Sequence, residues 1–171
     1  GSYLNPGNDM FYKMVHSEIY VDKTGLIGYC NHVINTMQRY ICVSRPRRFG
    51  KSFATKMLCA YYSKDCDSRD LFENLKIAQD STFETNLNQY HVIYLDITLF
   101  LSTLKQDDQL VKRMEKEIIR DLERVYPQVQ NQENLIDALC IMHEITNEKI
   151  ILIIDEWDAM FRECKGQDKI L

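Results

Sequence analysis

The chain has 171 residues, 45% of them hydrophobic and 27% charged, with a formal net charge of −4 and a pI near 5.6. That suits one domain with its own core. It excludes a protein whose whole surface is built to hold nucleic acid, because such domains are basic, though a local basic patch remains open. No apolar run approaches the about 20 residues that span a bilayer, and no secretory signal opens the chain. The expectation is a cytoplasmic protein with no membrane partner.

Gly1-Ser2 reads as a tag remnant, and residues 1–19 as a lead-in to a domain at 20–171. Asn5-Pro6-Gly7-Asn8 is a turn signal. Over 23–37, Leu26, Ile27, Cys30, Val33, Ile34 and Met37 recur at helical spacing, with Asp22 or Thr24 to cap the start. RYICVS (39–44) is a short run of β-formers and predicts a buried strand. RPRRFG makes the loop after it, where Pro46 turns Arg45 away from helical geometry and Gly50 permits unusual backbone angles. From Lys51, KSFATKMLCAYY predicts a helix with Phe53, Met57, Leu58 and Tyr61 on one side.

Residues 70–80 predict one helical turn and a connector. HVIYLDITLF (91–100) predicts a second buried strand. Leu110, Val111, Met114, Ile118, Leu122 and Val125 make an amphipathic helix over 107–126, with Pro127 after it. A further helix is predicted over 132–146, with Leu135, Ile136, Leu139 and His143 on its face. KIILIIDEWD then runs apolar and stops at two acids. It predicts a central, fully buried strand with Asp155 and Glu156 at its C-terminal tip. Strands alternating with helices argue for an α/β fold, a mostly parallel sheet flanked by helices.

Six cysteines (Cys30, Cys42, Cys59, Cys66, Cys140 and Cys164) form no C-x-x-C pair, so the usual zinc spacing is absent. They read as small buried hydrophobes in a reducing cytosol rather than as disulfides. His16, His32, His91 and His143 are scattered and are assigned no metal.

Two motifs carry chemistry. Arg45 to Ser52 reads R-P-R-R-F-G-K-S, against the phosphate-loop pattern G-x-x-x-x-G-K-[ST]. Gly50, Lys51 and Ser52 match, and Arg45 replaces the first glycine. Either the loop is shaped differently or the Pro46 turn does the glycine's work. A loop entering a helix N-terminus points free N–H groups and a positive dipole end at an anion. Lys51 can reach β- and γ-phosphates, and the Ser52 hydroxyl can ligate Mg²⁺. The second motif is Asp155-Glu156 at a strand tip, a Walker B pattern. Asp155 would hold Mg²⁺ through its waters, and Glu156 would orient and deprotonate the attacking water. Ligands in open parallel sheets bind beyond the strands' carboxyl ends. Asp158 stands as a supporting acid or a surface residue, and Trp157 as packing for the strand's exit.

YVDKTGLI, SRPRRFGKSF, LFENLKI, HVIYLDI and IILIIDEWDAMF, in that order, resemble the predicted AAA-ATPase-like proteins of bacteria, from about Tyr20 to Phe161. Arginine in place of the first glycine is a feature of that family. The resemblance implies a P-loop fold with an additional strand between the two motif strands, ATP and Mg²⁺ as ligands, and in many members a following restriction-endonuclease-like nuclease domain. It puts Gly50, Lys51 and Ser52 in the phosphate-loop roles, and the full nucleotide-binding set is expected to be Arg47, Arg48, Phe49, Gly50, Lys51, Ser52 and Phe53. Ser52 and Asp155 would serve the metal, and Lys51 and Glu156 catalysis. Asp22-Lys23-Thr24 gains no role beyond capping a helix near the nucleotide.

The chain stops shortly after the second motif, too soon for another helix–strand unit. The domain is therefore expected to be incomplete at its C-terminus, without the strand between the motif strands. Three arrangements are open: direct pairing of the motif strands, a strand-swapped dimer or other homo-oligomer, or a partly open domain. No nuclease activity is expected of this chain.

The leading reading is ATP-Mg²⁺ binding, with hydrolysis in the intact parent and weak or no turnover here. Nucleic acid is a further possible partner of the parent. One alternative is a nucleic-acid-binding module using the basic Arg45–Lys51 loop; another is a degenerate P-loop scaffold for assembly without hydrolysis.

Overall fold

The computed structural model describes residues 3–43, 50–102 and 110–159. In chain order the elements are α1 (Asp9–Val15), α2 (Gly25–Val33), α3 (Lys51–Tyr62), α4 (Arg69–Phe72), a 3₁₀ turn (Lys76–Gln79), α5 (Phe83–Asn86), β1 (His91–Asp96), α6 (Ile97–Ser102), α7 (Leu110–Val125), a second 3₁₀ turn (Pro127–Val129), α8 (Leu135–Thr146) and β2 (Ile150–Asp155).

The two strands pair in parallel, with His91 opposite Ile150 at one end and Asp96 opposite Asp155 at the other. Alternation along each strand divides the core in two. Val92, Tyr94, Ile151 and Ile153 face α1, α2 and α3, where Phe11, Ile27, Met57, Tyr61, Tyr62 and Phe72 are buried. Ile93, Leu95 and Ile150 face α7 and α8, where Ile118, Leu122, Ala138 and Met142 are buried. Burying each such large side chain contributes about 1.5–3 kcal/mol. The helices α7 and α8 fall where their apolar periodicity put them. The start of α8 is fixed by Asn134, whose side chain accepts from the Asp137 amide.

The structure departs from the expected elements at several points. Residues 39–43 form no strand, and Tyr40, Ile41 and Val43 are exposed. β-Propensity expresses packing against neighbouring strands, and β2, the other motif strand, is paired with β1 instead. The motif strands therefore do not pair directly among the described residues.

The second predicted strand ends at Asp96 rather than near residue 100. Its carboxylate accepts from the Thr98 amide (3.0 Å) and hydroxyl (2.6 Å), and this local cap turns the chain into α6. Nor is β2 central or fully buried. Leu152 and Ile154 are 47% and 44% exposed, because its one partner among the described residues is β1.

β1 is the strand flanked on both sides. Its other edge takes an antiparallel bridge from Leu4, with Asn5 N–H to Val92 O at 2.7 Å and Tyr94 N–H to Tyr3 O at 2.9 Å. The polar lead-in thus contains α1 and a core residue, Phe11, that is fully buried. α2 ends at Val33, leaving Met37 91% exposed. Cys30 and Cys59 are buried as expected, whereas Cys42 and Cys140 are exposed; these four and Cys66 are free thiols. No helix among the described residues is long and apolar enough to cross a membrane.

Candidate functional site

The helix α3 runs antiparallel to the two strands. At its C-terminal end Ser63 bridges to Tyr90, just before β1 begins. Near its N-terminal end the Thr55 hydroxyl lies 3.0 Å from Asp155 Oδ2 at the tip of β2. Its N-terminus therefore opens at the carboxyl edge of the sheet, where ligands bind in parallel α/β folds.

That N-terminus is built by Gly50, which holds φ at +77° and whose carbonyl accepts the first intrahelical bond, from Ala54 at 3.0 Å. Glycine takes this left-handed geometry without the steric cost a Cβ brings. The amides of Lys51, Ser52 and Phe53 precede that first bond and have no acceptor in the helix. Ser52 is exposed. The Phe53 ring turns inward, 6.2 Å from Phe11 and 5.8 Å from Tyr20 between centroids. Arg45, Arg47, Arg48 and Phe49 lie outside the described residues.

Asp155 is 4% exposed, and both its oxygens are engaged. Oδ1 accepts from the Glu156 amide at 2.9 Å; Oδ2 accepts from Thr55 and, at 3.2 Å, from the Tyr94 hydroxyl. The Thr55 hydroxyl is also 2.9 Å from the Ser52 carbonyl. Thr55 has a single proton to give, so it is shared between Ser52 and Asp155 and ties the two motifs together.

Burial raises the Tyr94 hydroxyl pKa, and the neighbouring Asp155 and Asp96 carboxylates raise it further. Lys56 lies over the Tyr94 ring, 3.6 Å from its centroid. Cys59, deeper under α3, is pushed up to about 12 by burial and is an inert thiol.

Glu156 follows Asp155 with φ at +52°. The other non-glycine residues at positive φ among those described are all asparagines: Asn5, Asn88, Asn131 and Asn147. Glutamate in that region is strained, and such strain clusters at functional sites. The turn is closed by the Ala159 amide donating to the Glu156 carbonyl at 2.9 Å. Trp157 is 48% exposed, so it covers the strand's exit only in part.

Sequence reasoning missed Thr55, Lys56, Tyr94 and Asp96. Asp96 had a signal: HVIYLD and IILIID are two six-residue strands that each end in aspartate, and the register sets the two acids side by side. The side chains of Ser52, Thr55, Asp96 and Asp155 supply only oxygen donors, which suit Mg²⁺. Among the described residues no group of three or more His, Cys, Asp or Glu is gathered. A cation here would thus take most of its ligands from water and phosphate, as Mg²⁺ does.

The family model described as predicted AAA-ATPase matches residues 7–170, which is nearly the whole chain. The chain belongs to the predicted AAA-ATPase family. No curated protein and no solved structure matches it. The matched span runs through both motifs and through α1, and membership suggests nucleotide use with Mg²⁺.

Proposed function

We propose that this member of the family has a P-loop architecture and binds ATP-Mg²⁺ at the carboxyl edge of its sheet. The observation that carries the reading is the Thr55–Asp155 hydrogen bond, which joins residues 100 apart in sequence and couples the helix opened by Gly50-Lys51-Ser52 to the strand ending in Asp155-Glu156. Phosphates would be received by the free amides at the α3 N-terminus and by Lys51. Ser52 and Asp155 would hold Mg²⁺, which would neutralise phosphate charge when bound. Glu156 would orient a water against the γ-phosphorus and take its proton as ADP leaves.

Calorimetric titration of ATP-Mg²⁺ and GTP-Mg²⁺ into the chain and into Lys51→Ala tests the reading. Saturable ATP binding that disappears in Lys51→Ala is the expected result. Equal binding by the two proteins removes Lys51 from the site and sinks the assignment.

A further inference from the structure

We propose that His91 is a pH-sensitive latch on the N-terminal segment: a proton on its Nδ1 releases Asn5 from the edge of β1. Asn5 meets the sheet through its backbone amide, which donates to the Val92 carbonyl at 2.7 Å. Its side chain is committed at both ends. Oδ1 accepts from the Val92 amide at 2.7 Å, while Nδ2 donates to Asp65 Oδ2 at 2.5 Å and to His91 Nδ1 at 3.3 Å. That last bond exists only while Nδ1 carries no proton.

The His91 ring is buried at the start of β1. A second proton makes both its nitrogens donors, so Nδ1–H would point at the Asn5 NH₂. Turning the Asn5 amide over gives His91 an acceptor, but withdraws Oδ1 from the Val92 amide and Nδ2 from Asp65. Neither orientation satisfies all three neighbours while Asn5 stays in place. The groups around the ring leave the conflict standing. Glu148 and the Tyr126 hydroxyl face Nε2, on the other side of the ring. Lys64, paired with the same Glu148, opposes a charged ring. Asp65 favours one, and its Oδ2 is held by the Asn5 NH₂ until the latch opens. The chain can give way here alone. On one side Asp121 Oδ2 accepts from the Tyr3 and Leu4 amides at 2.6 and 3.0 Å. On the other, Asn8 Nδ2 donates to the Asp67 carbonyl at 2.8 Å and to Ser68 Oγ at 3.0 Å, which anchors the start of α1. Between these anchors Gly7 sits at φ +76° with open space about it, a hinge for residues 5–7.

The test follows amide hydrogen exchange and the His91 imidazole signals by NMR between about pH 7.5 and 5, in the chain and in Asn5→Gly, which keeps the left-handed backbone of Asn5 (φ +46°) without its side chain. The Val92 amide should lose protection by up to about tenfold per pH unit below about pH 6.5, as the released form takes up its proton. Ile93 and Leu95, whose amides face β2 by alternation, should keep theirs. The imidazole should titrate over the same range, and its midpoint should rise in Asn5→Gly, because nothing then resists a proton on Nδ1. Val92 protection that stays constant while the ring titrates overturns the latch, as does a ring that stays neutral to the end of the range. An unchanged His91 midpoint in Asn5→Gly overturns it as well. Loss of protection at Val92, Ile93 and Leu95 together would mean unfolding of the sheet rather than release of Asn5, and overturns it too.

Discussion

At the tip of β2, Glu156 adopts a backbone conformation that asparagine takes elsewhere in this chain. Left-handed geometry costs an ordinary side chain about 1–2 kcal/mol, and asparagine pays less of it. Glu156→Asn should therefore raise stability by about 1 kcal/mol, read as a higher urea midpoint, while abolishing any ATP hydrolysis. A lower midpoint would show that the glutamate side chain contributes to the fold.

His91 is 1% exposed, at the opposite end of the sheet. The Asn5 side-chain carbonyl oxygen accepts from the Val92 amide (2.7 Å), which turns its NH₂ toward His91 Nδ1 at 3.3 Å. Nδ1 must accept, so Nε2 carries the proton and faces Glu148 and the Tyr126 hydroxyl. Burial lowers the His91 pKa first, and Lys64 lowers it further, against the raising influence of Glu148 and Asp65. The unfolded histidine takes up a proton near pH 6.5 while the folded one resists it. Stability is thus full above about pH 6.5 and falls as the pH drops below it. The urea midpoint should decline between about pH 7 and 5.5, and His91→Gln should flatten that decline. An equally steep decline in the variant would assign the acid sensitivity to other groups.

Besides their apolar packing, α3 and β2 are tied by one hydroxyl, that of Thr55. Thr55→Val keeps the shape and removes the donor, leaving a buried carboxylate oxygen with Tyr94 alone. The cost should be about 1–3 kcal/mol in chemical denaturation, with weaker Mg²⁺ dependence of ATP binding. An unchanged midpoint would mean that Thr55 gives its proton to the Ser52 carbonyl rather than to Asp155.

Which elements were legible follows from what forms them. The helices α3, α7 and α8 show their own periodicity and β2 is an unbroken apolar run ending in two acids, so their positions could be read from the chain. The end of β1 could not, because it depends on one aspartate folding its carboxylate back onto Thr98. Residues 39–43 carry strand-forming side chains but find no neighbouring strand. α1 is short, and its one fully buried residue, Phe11, gives no repeat to read. The two motifs were visible from residue type and order, whereas Tyr94, Thr55 and Lys56 entered the site only through packing of α3 on the sheet.

For the whole molecule, the two apolar clusters meet across a two-stranded sheet, and the N-terminal segment belongs to both. Phe11 stacks on Phe72 at 4.8 Å in one cluster, and Leu4 is buried in the other. Phe11→Ala should cost about 3–5 kcal/mol in urea unfolding. Removing residues 1–15 should abolish the cooperative transition, and an N-terminally trimmed chain that melted like the full one would contradict this packing.

In the proposed site Lys51 on α3 and Asp155 on β2 act on one bound nucleotide. A double-mutant cycle on ATP affinity, with Lys51→Ala, Asp155→Asn and both together, measured with and without Mg²⁺, tests it most directly. Lys51→Ala should lose most of the affinity in either condition. Asp155→Asn should lose only the part that depends on Mg²⁺, and the two effects should be non-additive when Mg²⁺ is present. Additive effects, or ATP binding indifferent to both substitutions, would contradict a shared site.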